Sequence, residues 1–172
     1  RPPPAPPSPF AVPALAPEPY AMVFYGLPPP DAVALRSFPV FGPRQDPTSQ
    51  YAAVVPNFVT AALTGNPIRI YGDGEQTRDF TYVENVVRAN VGSCFAKDAP
   101  GKAINIAGGD RVTVKQLAQK IIALAGSRST IHHEPTRAGD VRHTLAPRAR
   151  AGTIPGHTRT GEIGTAGRRQ VD

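Results

Sequence analysis

The sequence predicts an α/β fold because short apolar strands alternate with helices of 3.6-residue periodicity. Residues 103–107 are predicted as a strand that ends at two glycines. Residues 114–125 then carry apolar side chains at helical spacing until Gly126. A second strand and helix occupy residues 80–83 and 83–95. Strands and helices that follow one another in this way are typical of α/β proteins.

Shorter elements precede these two units. Residues 20–25 are an apolar stretch that fits either a short helix or a short strand, and residues 32–36 are predicted as a short buried strand. Glycine and proline in residues 41–47 predict a loop. Residues 51–63 are predicted as a helix with Pro56 in its first turn, where a missing N–H costs little. The shared apolar face of that helix consists of Val54, Val55, Phe58, Ala61 and Ala62.

The middle of the chain is predicted to contain a strand, a turn and a helix. Residues 67–71 alternate as a strand does, and two glycines bracketing Asp73 indicate a plain tight turn at residues 72–74. The helix over 83–95 is predicted to be amphipathic, so we expect Cys94 to pack in the core. Its apolar positions are Val83, Val86, Val87, Ala89, Val91, Cys94 and Phe95.

The two ends of the chain differ in composition from its middle. Twelve of the 21 prolines fall within residues 1–30, and this density excludes a continuous helix or a central strand, because proline fixes φ and has no N–H. Residues 147–172 are rich in glycine and arginine and have almost no large side chains, so we expect them to be disordered. The part predicted to fold is therefore 31–146.

Composition excludes several classes of protein. The single cysteine, Cys94, rules out an internal disulfide and a zinc site of several cysteines, and it fits a reducing, cytoplasmic setting. No apolar run reaches the roughly 18 residues that span a bilayer, so we expect no membrane association. His132, His133 and His143 lack metal-ligand spacing, and no metal site is predicted.

The excess of positive charge raises the question of nucleic-acid binding. The net charge is +6 and the isoelectric point is about 9.9, but much of the excess lies after residue 136. No interleaved aromatic side chains and no nucleic-acid-binding motif accompany these arginines. Nucleic acid is therefore an unfavoured partner, although a basic nucleic-acid binder stays an alternative.

Three ordered motifs carry a resemblance to a known family. They are LRSFPVFGPRQDP at 35–47, IYGDGEQTRDFTYVENV at 70–86 and RAGDVRH at 137–143. In this order they resemble the extended short-chain dehydrogenase/reductase family, and more narrowly its NAD-dependent sugar-nucleotide epimerases and dehydratases. UDP-glucose 4-epimerase is the best-known type of these enzymes. The matching residues stand in the C-terminal half of a typical member.

The resemblance implies both an architecture and a reaction. Residues 31–146 would be the substrate-binding lobe, with only the last part of the Rossmann domain, so the fold would be incomplete and its termini irregular. The family oxidises a sugar at C4 with NAD and passes through a keto intermediate. A nucleotide sugar, most simply a UDP-sugar, would be the ligand, and the intact family implies a possible homodimer.

The resemblance also implies individual site residues. Arg78 and Arg137 match the positions that hold the diphosphate, and a doubly charged diphosphate suits the fork of a guanidinium group. Asp140 matches the position near the nucleoside, and Phe38 the position near the nicotinamide. The backbone segment that lines the base pocket corresponds to Val54, Val55 and Pro56.

The residues that perform the chemistry in the family are replaced in this chain. The family needs a tyrosine four residues before a lysine, so that the phenol can act as a base. When the resemblance is extended upstream, residues 8–16 fall on the family's catalytic segment. Phe10 then occupies the tyrosine position and Ala14 the lysine position, and neither side chain can titrate. Residues 1–30 then appear as a remnant of the catalytic helix, which prolines at 13, 17 and 19 are expected to break.

Two further departures from the family pattern concern binding. Pro39 stands where the family usually has an asparagine that contacts substrate. A glycine pattern at 160–167 imitates the dinucleotide loop, but no strand precedes it and the sequence ends too soon for the helix that would follow. We therefore expect a fragment that is inactive by itself, and the alternative is a non-catalytic module that binds nucleotide-diphosphate sugars.

Overall fold

The structure is a computed structural model of the 172-residue chain, and it describes residues 16–25, 31–48, 54–136 and 142. Residues singled out in the sequence that lie outside the described residues include Phe10, Ala14, Arg137, Asp140 and His143, and residues 147–172 lie outside them as well.

Helices and strands alternate through the described part of the chain, so the prediction of an α/β fold is confirmed. The helices are α1 (Pro17–Tyr25), α2 (Val54–Leu63), α3 (Val83–Ser93) and α4 (Val114–Leu124). The strands are β1 (Ala34–Ser37), β2 (Val40–Phe41), β3 (Ile68–Tyr71), β4 (Thr77–Arg78), β5 (Thr81–Tyr82), β6 (Ala103–Ile106), β7 (Val112–Thr113) and β8 (Ile131–Glu134).

The strands form four pairs, three of which are parallel. The parallel pairs are β1 with β6, β2 with β5, and β3 with β8, and the antiparallel pair is β4 with β7. Parallel partners need a crossover between them, and helix α3 lies in the crossover from β1 to β6. No described helix is long and apolar enough to cross a membrane.

Two separate clusters of buried side chains hold these elements together. The large core lies between α2, α4 and the strands near them, and the small core lies between α3, β1 and β6. The buried residues of the large core are Phe41, Val55, Phe58, Val59, Ala62, Ile68, Ile70, Phe80, Tyr82, Val112, Val114, Leu117, Ala118 and Ile121. Those of the small core are Ala89, Ala96, Ala99, Ile104 and Ile106.

Local sequence explains where α4 begins and ends. Thr113 Oγ1 accepts a hydrogen bond from Gln116 N at 3.0 Å, and Gln116 Oε1 accepts one from Thr113 N at 3.1 Å, which together make a capping box. The helix ends before Gly126, which has a φ of +57° that glycine adopts readily. The predicted face of α4 is confirmed by the burial of Leu117 and Ile121.

Helix α2 follows its prediction closely over the residues that are described. The helix extends from Val54 to Leu63, and Pro56 is its third residue, within the first turn. At its other end Ser127 Oγ donates to Ala62 O at 2.7 Å. Gly65 N also donates to Ala62 O, at 3.3 Å, so this carbonyl of the last helical turn has two donors from outside the helix.

The predicted face of α3 is wrong in part. Val87, Val91 and Phe95 are 54%, 57% and 76% exposed, and Cys94 is exposed rather than packed in the core. The side of α3 that faces the sheet carries Ala89, which is fully buried. Apolar residues surround this helix on several sides, so periodicity alone could not identify the side on which α3 meets β1 and β6.

One prediction about the N-terminal elements also needs correction. Helix α1 begins at Pro17 and includes Pro19, and both prolines are tolerated because first-turn residues have no intrahelical N–H bond to lose. The segment with Phe10 and Ala14, whose helix the prolines are expected to break, lies outside the described residues. The strand near residue 34 is present as β1, but it is only half-buried and its last two residues are exposed. Glu18 of α1 forms an ion pair with Arg36 of β1, which raises the pKa of the Arg36 guanidinium through a direct hydrogen bond.

Candidate functional site

The carboxyl ends of β1 and β6 form one edge of the parallel pair. Phe38, directly after β1, donates its N–H to Ile106 O at 3.0 Å, and Pro39 O accepts from Thr81 N at 2.8 Å. The backbone at residues 38–39 is therefore fixed to both β6 and β5. Ligands of open α/β sheets bind beyond the carboxyl ends of the strands, so this edge is the natural place for a site.

Arg78 lies in the short strand β4, directly before Asp79, which bonds to the loop after β6. Its backbone is in register with Val112 of β7, and its half-buried side chain donates from Nη1 to Thr77 O at 2.9 Å. This bond holds one of the N–H donors of the guanidinium fork.

A buried carboxylate follows Arg78 directly. Asp79 is fully buried, and its Oδ1 accepts a hydrogen bond from Gly109 N at 2.7 Å. Gly108 lies against the same segment, because a Cβ added there would be only 2.2 Å from Phe80 O. From the sequence, the two glycines were predicted only to end a strand, and Asp79 was not among the predicted site residues. The sequence signal for the contact with Gly109 was a charged residue, Asp79, between Arg78 and the apolar Phe80.

The first turn of α2 supplies the other predicted binding segment. Val54, Val55 and Pro56 are its first three residues, and Val55 and Pro56 are buried. Val55 and Phe80 belong to the same core cluster, so the start of α2 and the segment after Arg78 are parts of one packed unit.

The segment after β8 returns to the neighbourhood of β4. Arg142 O accepts a hydrogen bond from Thr77 N at 2.9 Å, and Arg142 Nη2 lies 3.1 Å from Asp73 Oδ2. A Cβ at Gly72 would lie 3.3 Å from Thr136 Oγ1, so Thr136 also lies near this turn. The turn at residues 72–74 is confirmed, with a φ of +82° at Gly72 and +79° at Gly74.

The described residues do not fit the pyrophosphate of NAD. Such a site needs a glycine-rich turn between a strand and a helix whose first N–H groups point to the ligand. Helices α3 and α4 follow β5 and β7 directly, and the sequence has no glycine at 1–16 or 43–53, ahead of α1 and α2.

The start of α4 shows the misfit most clearly. Its N–H groups donate to Gln76 O from Val114 and to Gly74 O from Lys115, while Gln116 N donates to the Thr113 cap. No group of three or more metal-ligating side chains occurs within the described ranges either.

Comparisons with known proteins agree with this geometry. Residues 3–107 match the family model described as the NAD dependent epimerase/dehydratase family. A UDP-N-acetyl-alpha-D-glucosaminuronate decarboxylase of Bacillus cytotoxicus is 42% identical over 101 residues, which are 59% of this chain and 31% of that protein. A UDP-glucose 4-epimerase of Mycolicibacterium smegmatis is 32% identical over 151 residues, 88% of this chain and 48% of that one.

Solved structures give the same result. The UDP-N-acetylglucosamine 4-epimerase of Methanobrevibacter ruminantium M1, in complex with UDP-N-acetylmuramic acid, superposes with a TM-score of 0.89 at 37% identity. The match covers 95% of this chain and 52% of that one, so the chain spans about half the length of this relative. Together with the match over residues 3–107, this places the chain in the NAD dependent epimerase/dehydratase family.

Proposed function

We propose that this chain binds the nucleotide diphosphate of a sugar nucleotide, most simply UDP, through the guanidinium groups of Arg78 and Arg137, and that it is catalytically inactive by itself. The hydrogen bond from Thr77 N to Arg142 O carries the proposal. It brings the end of the RAGDVRH motif beside the strand that contains Arg78, so two motifs far apart in sequence meet at one place.

The neighbours of Arg137 support its part in this proposal. Thr136 lies near Gly72, and Arg142 is bound to Thr77 and Asp73, all on the side of the molecule that carries β4. Arg137 follows Thr136 directly in the sequence, and we propose that its guanidinium binds the same diphosphate as that of Arg78.

Each part of the ligand has a proposed partner. Two guanidinium forks hold the two negative phosphates with paired hydrogen bonds. The buried first turn at Val54, Val55 and Pro56 borders the base, Asp140 accepts from the nucleoside, and Phe38 lies toward the nicotinamide in intact relatives. Two of the similar solved structures hold a bound UDP-sugar, UDP-N-acetylmuramic acid in one and UDP-glucose in the other, and these ligands support UDP as the nucleotide.

The inactivity of the chain follows from its own residues. Removing the proton of the C4 hydroxyl needs a base, and neither Phe10 nor Ala14 can accept a proton. In intact relatives NAD accepts the hydride. Because the described residues offer no pyrophosphate site, we assign NAD to the dinucleotide half of the family and no step to this chain. A homodimer and a cytoplasmic location stay predictions.

Calorimetric titration of the full chain with UDP tests the proposal. We expect saturable heat for the wild type, at least tenfold weaker binding in Arg78→Ala and in Arg137→Ala, and weaker binding of UMP than of UDP. Arg69→Ala is the matched control, because it removes the same charge from an exposed position on β3. A flat trace for the wild type, or equal losses in Arg78→Ala and Arg69→Ala, would contradict the proposal.

A turnover assay tests the second part. We expect no epimerisation of UDP-glucose when NAD is added. Turnover that disappears in Arg78→Ala would show that the chain is an enzyme in spite of Phe10 and Ala14.

A further inference from the structure

The geometry points to Asp79 as a positioning residue that fixes the Arg78 guanidinium for diphosphate binding. The inference rests on the proposed function and adds to it a residue that cannot itself touch the ligand. Asp79 is fully buried, and its negative charge would repel a diphosphate. Whatever it contributes to binding is therefore transmitted through Arg78, its neighbour in the chain.

The burial of Asp79 requires a structural reason. A carboxylate loses much hydration free energy when it leaves water, and proteins keep such a group only where it is hydrogen-bonded. Asp79 Oδ1 accepts from Gly109 N at 2.7 Å, and charge-assisted bonds of this kind are about twice as strong as neutral ones. The two residues are 30 positions apart, so the bond ties the loop after β6 to the segment after β4.

Two glycines allow the loop to approach so closely. At Gly108 a Cβ would lie 2.2 Å from Phe80 O and 3.1 Å from Asp79 Oδ1, so no larger residue fits without moving the backbone. Gly109 has a φ of +81°, which turns its N–H toward the carboxylate at little cost for a glycine. Residues 108 and 109 thus pack directly against residues 79 and 80.

The same loop continues into β7 and returns to Arg78. Val112 of β7 is the register partner of Arg78, so the backbone of Arg78 is held on one side by β7 and on the other by the Asp79 bond to Gly109. Its Nη1 donates to Thr77 O, and this bond restrains the guanidinium itself. A side chain ordered before the ligand arrives loses less conformational entropy on binding.

A double-mutant cycle in the full chain tests this role, with UDP affinity measured by calorimetry. Asn keeps the shape and the oxygen acceptor of Asp but removes the charge. We expect Asp79→Asn to weaken UDP binding about fivefold when Arg78 is present and less than twofold in the Arg78→Ala background, because coupled neighbours are not additive. Asp79→Ala should weaken UDP binding further. If that variant does not fold, the cycle with Asp79→Asn by itself tests the role of Asp79.

Amide exchange measured by NMR gives a readout that needs no ligand. We expect the Gly109 N–H to be protected in the wild type and to exchange faster in Asp79→Asn. Equal losses of affinity in both Arg78 backgrounds would mean a merely structural role and overturn the inference, as would wild-type affinity in Asp79→Asn. Failure of the wild type to bind UDP is a different result, because it overturns the proposed function itself.

Discussion

The large and small cores differ in size and in how much apolar surface their helices leave exposed. Fourteen described residues are buried in the large core, four of them aromatic, whereas five are buried in the small core, three of them alanines. Helix α4 buries its apolar side in the large core, but α3 leaves Val87 and Val91 exposed beside the small core, and Phe95, just after the helix, is exposed as well.

This difference indicates where the stability of the chain resides. Burial of an aliphatic side chain contributes about 1.5–3 kcal/mol, so the large core supplies most of the described stabilisation. Parallel strands are usually covered on both faces, yet β1 is only half-buried. The candidate site depends on both regions, because Phe38 follows β1, and Val55 and Phe80 belong to the large core.

The largest effect is expected in the large core. Leu117→Ala removes a fully buried side chain between α2 and the strands, and we expect the free energy of unfolding to fall by about 2–5 kcal/mol. Urea denaturation followed by circular dichroism measures it. A loss below about 1 kcal/mol would mean that the large core is not the main source of stability.

The next effect concerns the contact of the β6–β7 loop with residues 79–80. We expect Gly108→Ala to cost about 1–3 kcal/mol, because its Cβ would overlap Phe80 O, and overpacked sites carry such costs. Gly65→Ala is a control of a different kind, since Gly65 has a φ of +70° but open space around it. Its cost reflects backbone conformation alone, about 1–2 kcal/mol. Only Gly108→Ala should also weaken UDP binding.

The exposed side of α3 gives the third test. We expect Val87→Gln to change the free energy of unfolding by less than about 0.5 kcal/mol, as exposed substitutions usually do. Ala89→Leu on the opposite side should cost about 1–3 kcal/mol, because Ala89 is fully buried against the sheet. Thermal denaturation of the two variants compares them. The reverse ranking would mean that α3 packs through its valines after all.

The smallest effect is expected for the ion pair that joins α1 to β1. Glu18→Gln removes the partner of Arg36, and because both side chains are partly exposed we expect a loss of at most about 1 kcal/mol. Sodium chloride at 1 M shortens the Debye length to about 3 Å and should reduce the difference from wild type. A loss unaffected by salt would show that Glu18 acts through packing and not through its charge.

Sequence reasoning succeeded where neighbouring residues decide the structure. The helix at residues 114–124 was predicted from its periodicity and from Gly126, and the turn at 72–74 from its two glycines. It failed at α3, where apolar residues lie on several sides of the helix, and at β1, which is half-buried and not buried. The contact between Asp79 and Gly109 was missed because no local pattern joins residues 30 positions apart.

The sequence by itself determined the family and the α/β class, because these depend on residue types and on spacings of a few positions, whereas the binding residues that it predicts stay a proposal. Only the tertiary structure decided which side of α3 is buried, how Asp79 is tied to Gly109, and that Arg142 returns to Thr77. The last two contacts join residues 30 and 65 positions apart, and the geometry of all three is fixed by how whole elements pack and not by the residues on either side.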